Sequence, residues 1–414
     1  MDILQKAFDE VLHKVLSFPM FATHLVDKKL REQGKYLNSR QLSRLLKAIE
    51  DAKGDNVAIT IPEHSPIRQV LSFTKEPTIQ IDLDLQNIDI DETVNRLIEN
   101  LPAIIEETGS ELAELIFRRL EKASRSMLSE RHRDLTAFRK ALRRSWGRPL
   151  DHLETMIALA LEAGDDFNSE FRPAASTAGD ALFEALTRLH ARACQIGAEI
   201  HALLSLGYAD GAHARWRSLH EVSAVASFLS SEGIDVAERY LLHVGVESHK
   251  AASLYQRYAS RLGYEPFTDR ELRDMADISD RLVTRFGPEF AIDYGWAAQA
   301  LGNPKPTFAD IERAVELQHL RPFYRMASHN IHANPKGVLF RLGLYPEGEN
   351  MLLAGPSTAG LADPGHSAAI SLGQITITLL TSRPNLDRLV TSKILLRFVD
   401  LIGEEFLAAH QAGE

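Results

Sequence analysis

The stretch ALFEALTRLHARACQIGAEIHALLSLGYADGAHARWRSLHEVSAVASFLSS, residues 181–231, decides the fold. Ala181–Leu206 repeats apolar residues at helical spacing and stops at Gly207; Ala212–Ser230 does the same and stops at Gly233. Two such helices joined by Gly207-Tyr-Ala-Asp-Gly211 read as an αα-hairpin. In the second helix Arg217 and Glu221 stand four residues apart, the spacing of an ion pair across one turn, and Trp216 and His220 share that spacing. His190 and His201 are eleven residues apart, about three turns, and so share a face. Histidines so placed are more often hydrogen-bonded inside a bundle than bound to metal.

Working outward, Val236–Leu262 is a third helix stopped by Gly263, and residues 267–300 give two shorter ones around Gly287-Pro288. Phe308–His332 is helical with an interruption near Pro322. Asn334–Asp363 is a long Gly/Pro-rich ordered loop, and Ser367–Thr381 and Leu386–His410 close the chain as helices. Ser367–Leu380 is too short and too polar to span a bilayer and reads as a core helix. Upstream, 93–127, 129–146 and 151–164 are helical, and the polar 165–176 with Pro173 reads as a hinge. Residues 1–50 are helical with a break near Gly34. Val57–Ile61, ending at Pro62, and the alternating Ile79–Leu85 and Ile88–Asp91 indicate a small sheet or hairpin. The acidic face of Asp82, Asp84, Asp89 and Asp91 matches no calcium loop. The expected fold class is mainly α. A mixed, mostly helical domain (1–145) with short strands near 57–90 precedes a C-terminal α-helical bundle (146–414).

With 414 residues, two domains are the default. Hydrophobic content of 44% and charged content of 25% are those of an ordinary globular protein. Cys194 is the single cysteine, so intramolecular disulfides and cysteine-rich zinc sites are excluded, which fits a reducing cytoplasm. The start, MDILQKAFDEVLHKVL, lacks a basic n-region and a continuous apolar stretch, so no signal peptide is expected. Glu10/His13 and Glu316/His319 have the Glu-x-x-His spacing of di-iron bundles but fall in different expected domains. Gly355–Gly360 is not followed by Gly-Lys-Ser/Thr and is no phosphate loop. No metal or other cofactor is expected.

The densest group of reactive side chains is RPFYRMASHNIHANPKG, residues 321–337. On a helix Tyr324, Ser328 and His332 follow at i, i+4 and i+8, with Arg325 and His329 on the adjacent row and Phe323, Ala327 and Ile331 on another face. Such a surface can hold a phosphate and move a proton; it can equally be a polar seam against another helix. Arg followed by His after four to six intervening residues, a spacing used by helical metal-independent ribonucleases, occurs at Arg125/His132, Arg215/His220, Arg313/His319 and Arg325/His332, about as often as chance predicts. Arg325/His332 alone adds a nearby Ser, Tyr and second His, and Lys336 adds charge. Separately, residues 117–148 hold eleven Lys/Arg against three acids, inside a chain of net charge −10. Among them Arg118, Arg119, Lys122, Arg139, Lys140, Arg143 and Arg144 are candidate nucleic-acid contacts; the alternative is docking on an acidic protein surface.

The segments Gly207–Glu221 and Tyr324–Gly337 together resemble a widespread bacterial family of helical proteins of unknown function, a resemblance spanning about residues 145–410. More loosely, the hairpin with an Arg…His face is similar to the HEPN superfamily, many of whose members are RNA endonucleases of toxin–antitoxin and phage-defence systems while others are inactive scaffolds. That resemblance implies a homodimer in which Arg and His of two protomers meet. Arg325 would stabilise the phosphorane charge and His332 or His329 would serve as base or acid. Tyr324, Ser328 and Lys336 would position the phosphate, with Arg215, Arg217, His220 and Glu221 beside them. Active members place Asn, Asp or His directly after the Arg, where this chain has Met326. The alternative expectation is a non-catalytic helical module that binds a partner or ligand.

Overall fold

The computed structural model describes residues 5–6, 9, 17–32, 36–51, 59–60, 78–79, 90–344 and 352–413. Contacts divide the chain into residues 1–122 and 123–414, whereas the sequence suggested a division after residue 145. The reason lies in Leu142, Trp146, Leu150 and Leu153, which form one continuous buried stripe across that point.

In the first unit, α1 (Phe18–Glu32) packs on α2 (Ser39–Glu50) through Val26, Leu30 and Leu45. Asn38 and Gln41 cap α2 reciprocally, each side chain meeting the other's backbone N–H. Ile59–Thr60 (β1) pairs antiparallel with Thr78–Ile79 (β2), Ile59 opposite Ile79. Asp82, Asp84, Asp89, Glu10 and His13 lie outside the described residues.

Helix α3 runs from Ile90 to Ala178. The expected hinge at 165–176 is helical: Phe167 and Ala175 are buried, Phe167 stacks on Phe183 at 6.1 Å, and the Arg388 guanidinium lies 4.6 Å from the Phe171 ring centre. Packing on both sides of Pro173 outweighs the one backbone hydrogen bond that the proline removes.

The hairpin follows as expected, α4 (Ala181–Ser205) and α5 (Ala209–Glu232). At its turn Gly207 has φ +80°, and a Cβ there would lie 2.8 Å from the Phe138 ring and from the Ser357 carbonyl, so only glycine fits. Val236–Leu262 is two helices, α6 (Ile234–Leu242) and α7 (Val244–Leu262). His243 sits at the break and its Nε2–H donates to the carbonyls of Phe290 and Ile292 at 3.1 Å. Helix α8 (Asp269–Phe286) ends at Gly287, φ +99°. Two 3₁₀ turns and the short α9 (Ala298–Leu301) lead to α10 (Phe308–Ala314) and α11 (Arg321–Ile331). Pro322 sits in the first turn of α11, where no N–H is needed, so it starts this helix rather than breaking one. The expected loop at 334–363 contains α12 (Pro335–Leu339).

Helix α13 (Ala362–Thr381) is the predicted core helix, with eleven buried residues, and α14 (Leu386–Gly413) closes the chain. Helix α13 packs on α4, α5 and α14. Polar pins fix its register: Trp216 donates to Ser371 Oγ at 3.0 Å, and His190 meets Thr376 Oγ1 at 3.1 Å. The unit is thus a helical bundle, and no helix among the described residues is long and apolar enough to cross a membrane.

Gly207→Ala should destabilise the protein by about 2 kcal/mol or more, through positive φ and the close approaches. An unchanged urea midpoint would show that the turn relaxes freely.

Candidate functional site

The two segments singled out in the sequence meet where α11 and α10 pack on α5. Helix α5 turns Trp216 and His220 inward, both fully buried, with rings stacked at 5.4 Å. His220 Nε2 lies 2.8 Å from Glu312 Oε1 on α10, and the other Glu312 oxygen accepts from Arg321 at the head of α11. Glu312 is 1% exposed, so its charge is removed from water and compensated by these two partners. One turn along, the Tyr324 hydroxyl donates to Glu221, and the Arg217 guanidinium lies 4.7 Å from the Tyr324 ring centre. Arg217 Nε is 3.3 Å from Glu221, an ion pair whose angle leaves that N–H without a directed hydrogen bond. Arg321 also lies 5.1 Å from the Tyr324 ring centre. Burial and the adjacent Glu221 push the Tyr324 phenol well above its ordinary range; burial and the same carboxylate raise Tyr294. Burial opposes the Arg217 charge, but Tyr324 and Glu221 outweigh it and raise its pKa.

This arrangement corrects several expectations. Tyr324 is buried and committed to Glu221 rather than offered to a phosphate. Ser328 Oγ donates to the Tyr324 carbonyl of its own helix at 2.8 Å. Arg215 is paired with Glu199, tying α5 to α4; His220 is buried against Glu312, and the half-buried Arg217 and Glu221 pair with each other beside Tyr324. His332 does not continue the helical row: it caps α11 with extended backbone (φ −101°, ψ 140°) and is exposed. Of the row Phe323, Ala327 and Ile331, only Ala327 is buried; Phe323 and Ile331 stand 40% and 47% exposed.

What remains at the surface is Arg325, His329, His332 and Lys336. Arg325 is exposed and makes no ion pair among the described residues. His329, one turn on, is half-buried. Asn334 Oδ1 accepts from Gly337 N–H at 3.0 Å, which turns its amide nitrogen toward His329 Nδ1. Asn334 therefore donates to Nδ1, and a neutral His329 carries its proton on Nε2. Gly337 makes this possible, since a Cβ there would lie 2.0 Å from the His329 carbonyl.

In the basic stretch Arg118 pairs with Glu114 at 2.6 Å and Arg143 with Asp151 at 2.8 Å; Arg119, Lys122, Arg139, Lys140 and Arg144 are exposed. Glu316 offers His319 its carbonyl, not its carboxylate, so that Glu-x-x-His pair is not a ligand pair. Among the described residues no group of three or more His, Cys, Asp or Glu is placed to hold a metal ion. Cys194 is buried, with burial pushing its thiol up to about 12.

Sequence reasoning missed Glu312 and Arg321. Glu312 lies one turn after the buried Phe308, on the apolar side of α10, which is the signal that it faces inward.

Residues 183–350 match a family described as of unknown function (DUF5677). The match covers both signature segments and bears out their resemblance to an uncharacterised helical family. No curated protein and no solved structure matches the chain.

Two outcomes test the division between buried and exposed groups. Glu312→Ala should cost about 3–5 kcal/mol by leaving His220 and Arg321 uncompensated, whereas Arg325→Ala should stay within about 0.5 kcal/mol of wild type. Equal losses in chemical denaturation would contradict it. Burial also holds His190 down to about 4, against 6.5 in a free imidazole. The unfolded chain takes up that proton first, so stability should fall as pH drops from 6.5 toward 4. His190→Gln should flatten this slope; an unchanged pH profile of the urea midpoint would refute the assignment.

Proposed function

We propose that the exposed α11–α12 surface is the phosphate-handling site of a metal-independent RNA endonuclease, similar to the HEPN effectors of toxin and phage-defence systems. The observation that carries this reading is Arg325: exposed, without an ion pair among the described residues, and in helical register with His329. A structural seam would have buried and neutralised that guanidinium, as Arg321 is neutralised by Glu312. Helix α11 is held by the buried Tyr324 and by Arg321, paired with the buried Glu312, so Arg325 and His329 are presented on a firm support.

In this mechanism Arg325 binds the scissile phosphate and stabilises the charge of the phosphorane. His332 accepts the proton of the ribose 2′-OH as its oxygen bonds to phosphorus. The bond from phosphorus to the 5′ oxygen breaks, and the leaving oxygen takes its proton from the His332 imidazolium, while neutral His329 donates a hydrogen bond from Nε2–H to a phosphoryl oxygen. The products are a 2′,3′-cyclic phosphate and a 5′-hydroxyl. Lys336 adds charge beside the site.

A second reading, a non-catalytic docking module, draws on the exposed Met326, Val338, Leu339 and Phe340 around the same residues. The two readings separate in one assay. Purified protein is incubated with total RNA and tRNA in EDTA, beside Arg325→Ala and His332→Ala. Cleavage that each substitution reduces about 10²–10⁴-fold supports the nuclease. Absence of cleavage by wild type favours the docking module.

A further inference from the structure

Helix α3 carries its cations on one side. At 3.6 residues per turn, Arg125, Ser129, Arg133, Thr136, Lys140 and Arg144 fall on one third of its circumference. The neighbouring acids Glu130 and Asp134 fall outside that third. All six residues are exposed, and the four cations make no ion pair among the described residues. Arg143 and Arg148 differ, being tied to Asp151 and Glu405. From Phe138 onward the opposite side of the helix is fixed: Phe138, Leu142 and Trp146 pack into the bundle core, and Trp146 donates to the Thr358 carbonyl at 2.9 Å. With 1.5 Å of rise per residue, the six groups form a straight ladder about 29 Å long, with one polar group every ~4.5–6 Å.

We infer that this face of α3 binds the phosphate backbone of single-stranded RNA. The ladder matches a repeating anion along a line. Duplex RNA is disfavoured because the deep, narrow major groove of its A-form helix cannot admit α3 or its side chains. The six residues include no Phe, Tyr or Trp, so binding is mainly through the backbone, with the exposed His132 at the edge of the face as a single stacking ring. Ser129 places a hydroxyl between the cations, where a ribose 2′-OH lies between phosphates; the Thr136 hydroxyl donates to the His132 carbonyl at 2.7 Å and offers its oxygen only as an acceptor. The inference does not require cleavage at Arg325, and binding without turnover satisfies it.

The test uses full-length protein carrying Arg325→Ala, so that binding is read apart from cleavage. Fluorescence anisotropy follows a labelled mixed-sequence 20-nucleotide RNA from 50 to 200 mM salt in EDTA, beside the same sequence as single-stranded DNA and as duplex RNA. The combined substitution Arg125→Glu/Arg133→Glu/Lys140→Glu should weaken RNA binding at least tenfold. It should also lower the slope of log affinity against log salt by about 2, since each lost single-strand contact accounts for ~0.7. Its thermal midpoint should match the parent. An equal charge change elsewhere, Arg257→Glu/Arg261→Glu/Arg281→Glu on α7 and α8, should leave binding within twofold. The inference is overturned by no RNA binding at 50 mM salt, by equal weakening in both triple variants, or by DNA or duplex binding as tight as single-stranded RNA. RNA bound but not cleaved by the wild-type protein would leave this inference standing and overturn only the nuclease reading at Arg325.

Discussion

The carboxylate of Glu312, buried at 1% exposure, is the constraint around which the second unit closes. A charge in that position is tolerated only where partners replace water. Two do so: His220 from α5 and Arg321 from α11. Three helices are therefore locked in one register by a single side chain. The Tyr324–Glu221 hydrogen bond one turn away repeats the lock. Hydrophobic area provides most of the bundle's stability, but it is non-directional. The network sets which way α11 faces.

That facing separates two kinds of polar residue within eleven positions. Arg321 and Tyr324 are consumed in holding the helix. Arg325 and His329, on the next row, are left to solvent and to Asn334. A chemically active surface is best carried by a helix whose own polar anchors are satisfied elsewhere, because its side chains are then presented without competing partners. From Phe138 onward α3 divides its labour similarly, with one side in the core and the other exposing Lys140 and Arg144, which make no ion pair among the described residues.

Much of the architecture was legible. Period-3.6 patterning and glycine stops located α4, α5 and α8, and the apolar run at 367–380 identified α13. The expected hinge at 165–176 failed because local polarity and Pro173 were outweighed by Phe167 and its neighbours from distant elements. The break at His243 was invisible because it depends on the carbonyls of Phe290 and Ile292. At the site, the i, i+4 spacing found the Arg217–Glu221 pair, but the row it drew through Tyr324 and Ser328 does not reach His332, where α11 ends.

By itself the sequence determined the helical class, the hairpin at 181–231, the exclusion of disulfides and the two segments that carry the site. These follow from short-range periodicity and composition, which need no knowledge of neighbours. Only the tertiary structure decided that Tyr324 and His220 are buried while Arg325 is exposed. A polar side chain's role depends on whether an opposite charge reaches it from another helix, and Glu312 and Glu221 lie 12 and 103 residues from Tyr324 along the chain. No periodicity in a single segment encodes that meeting.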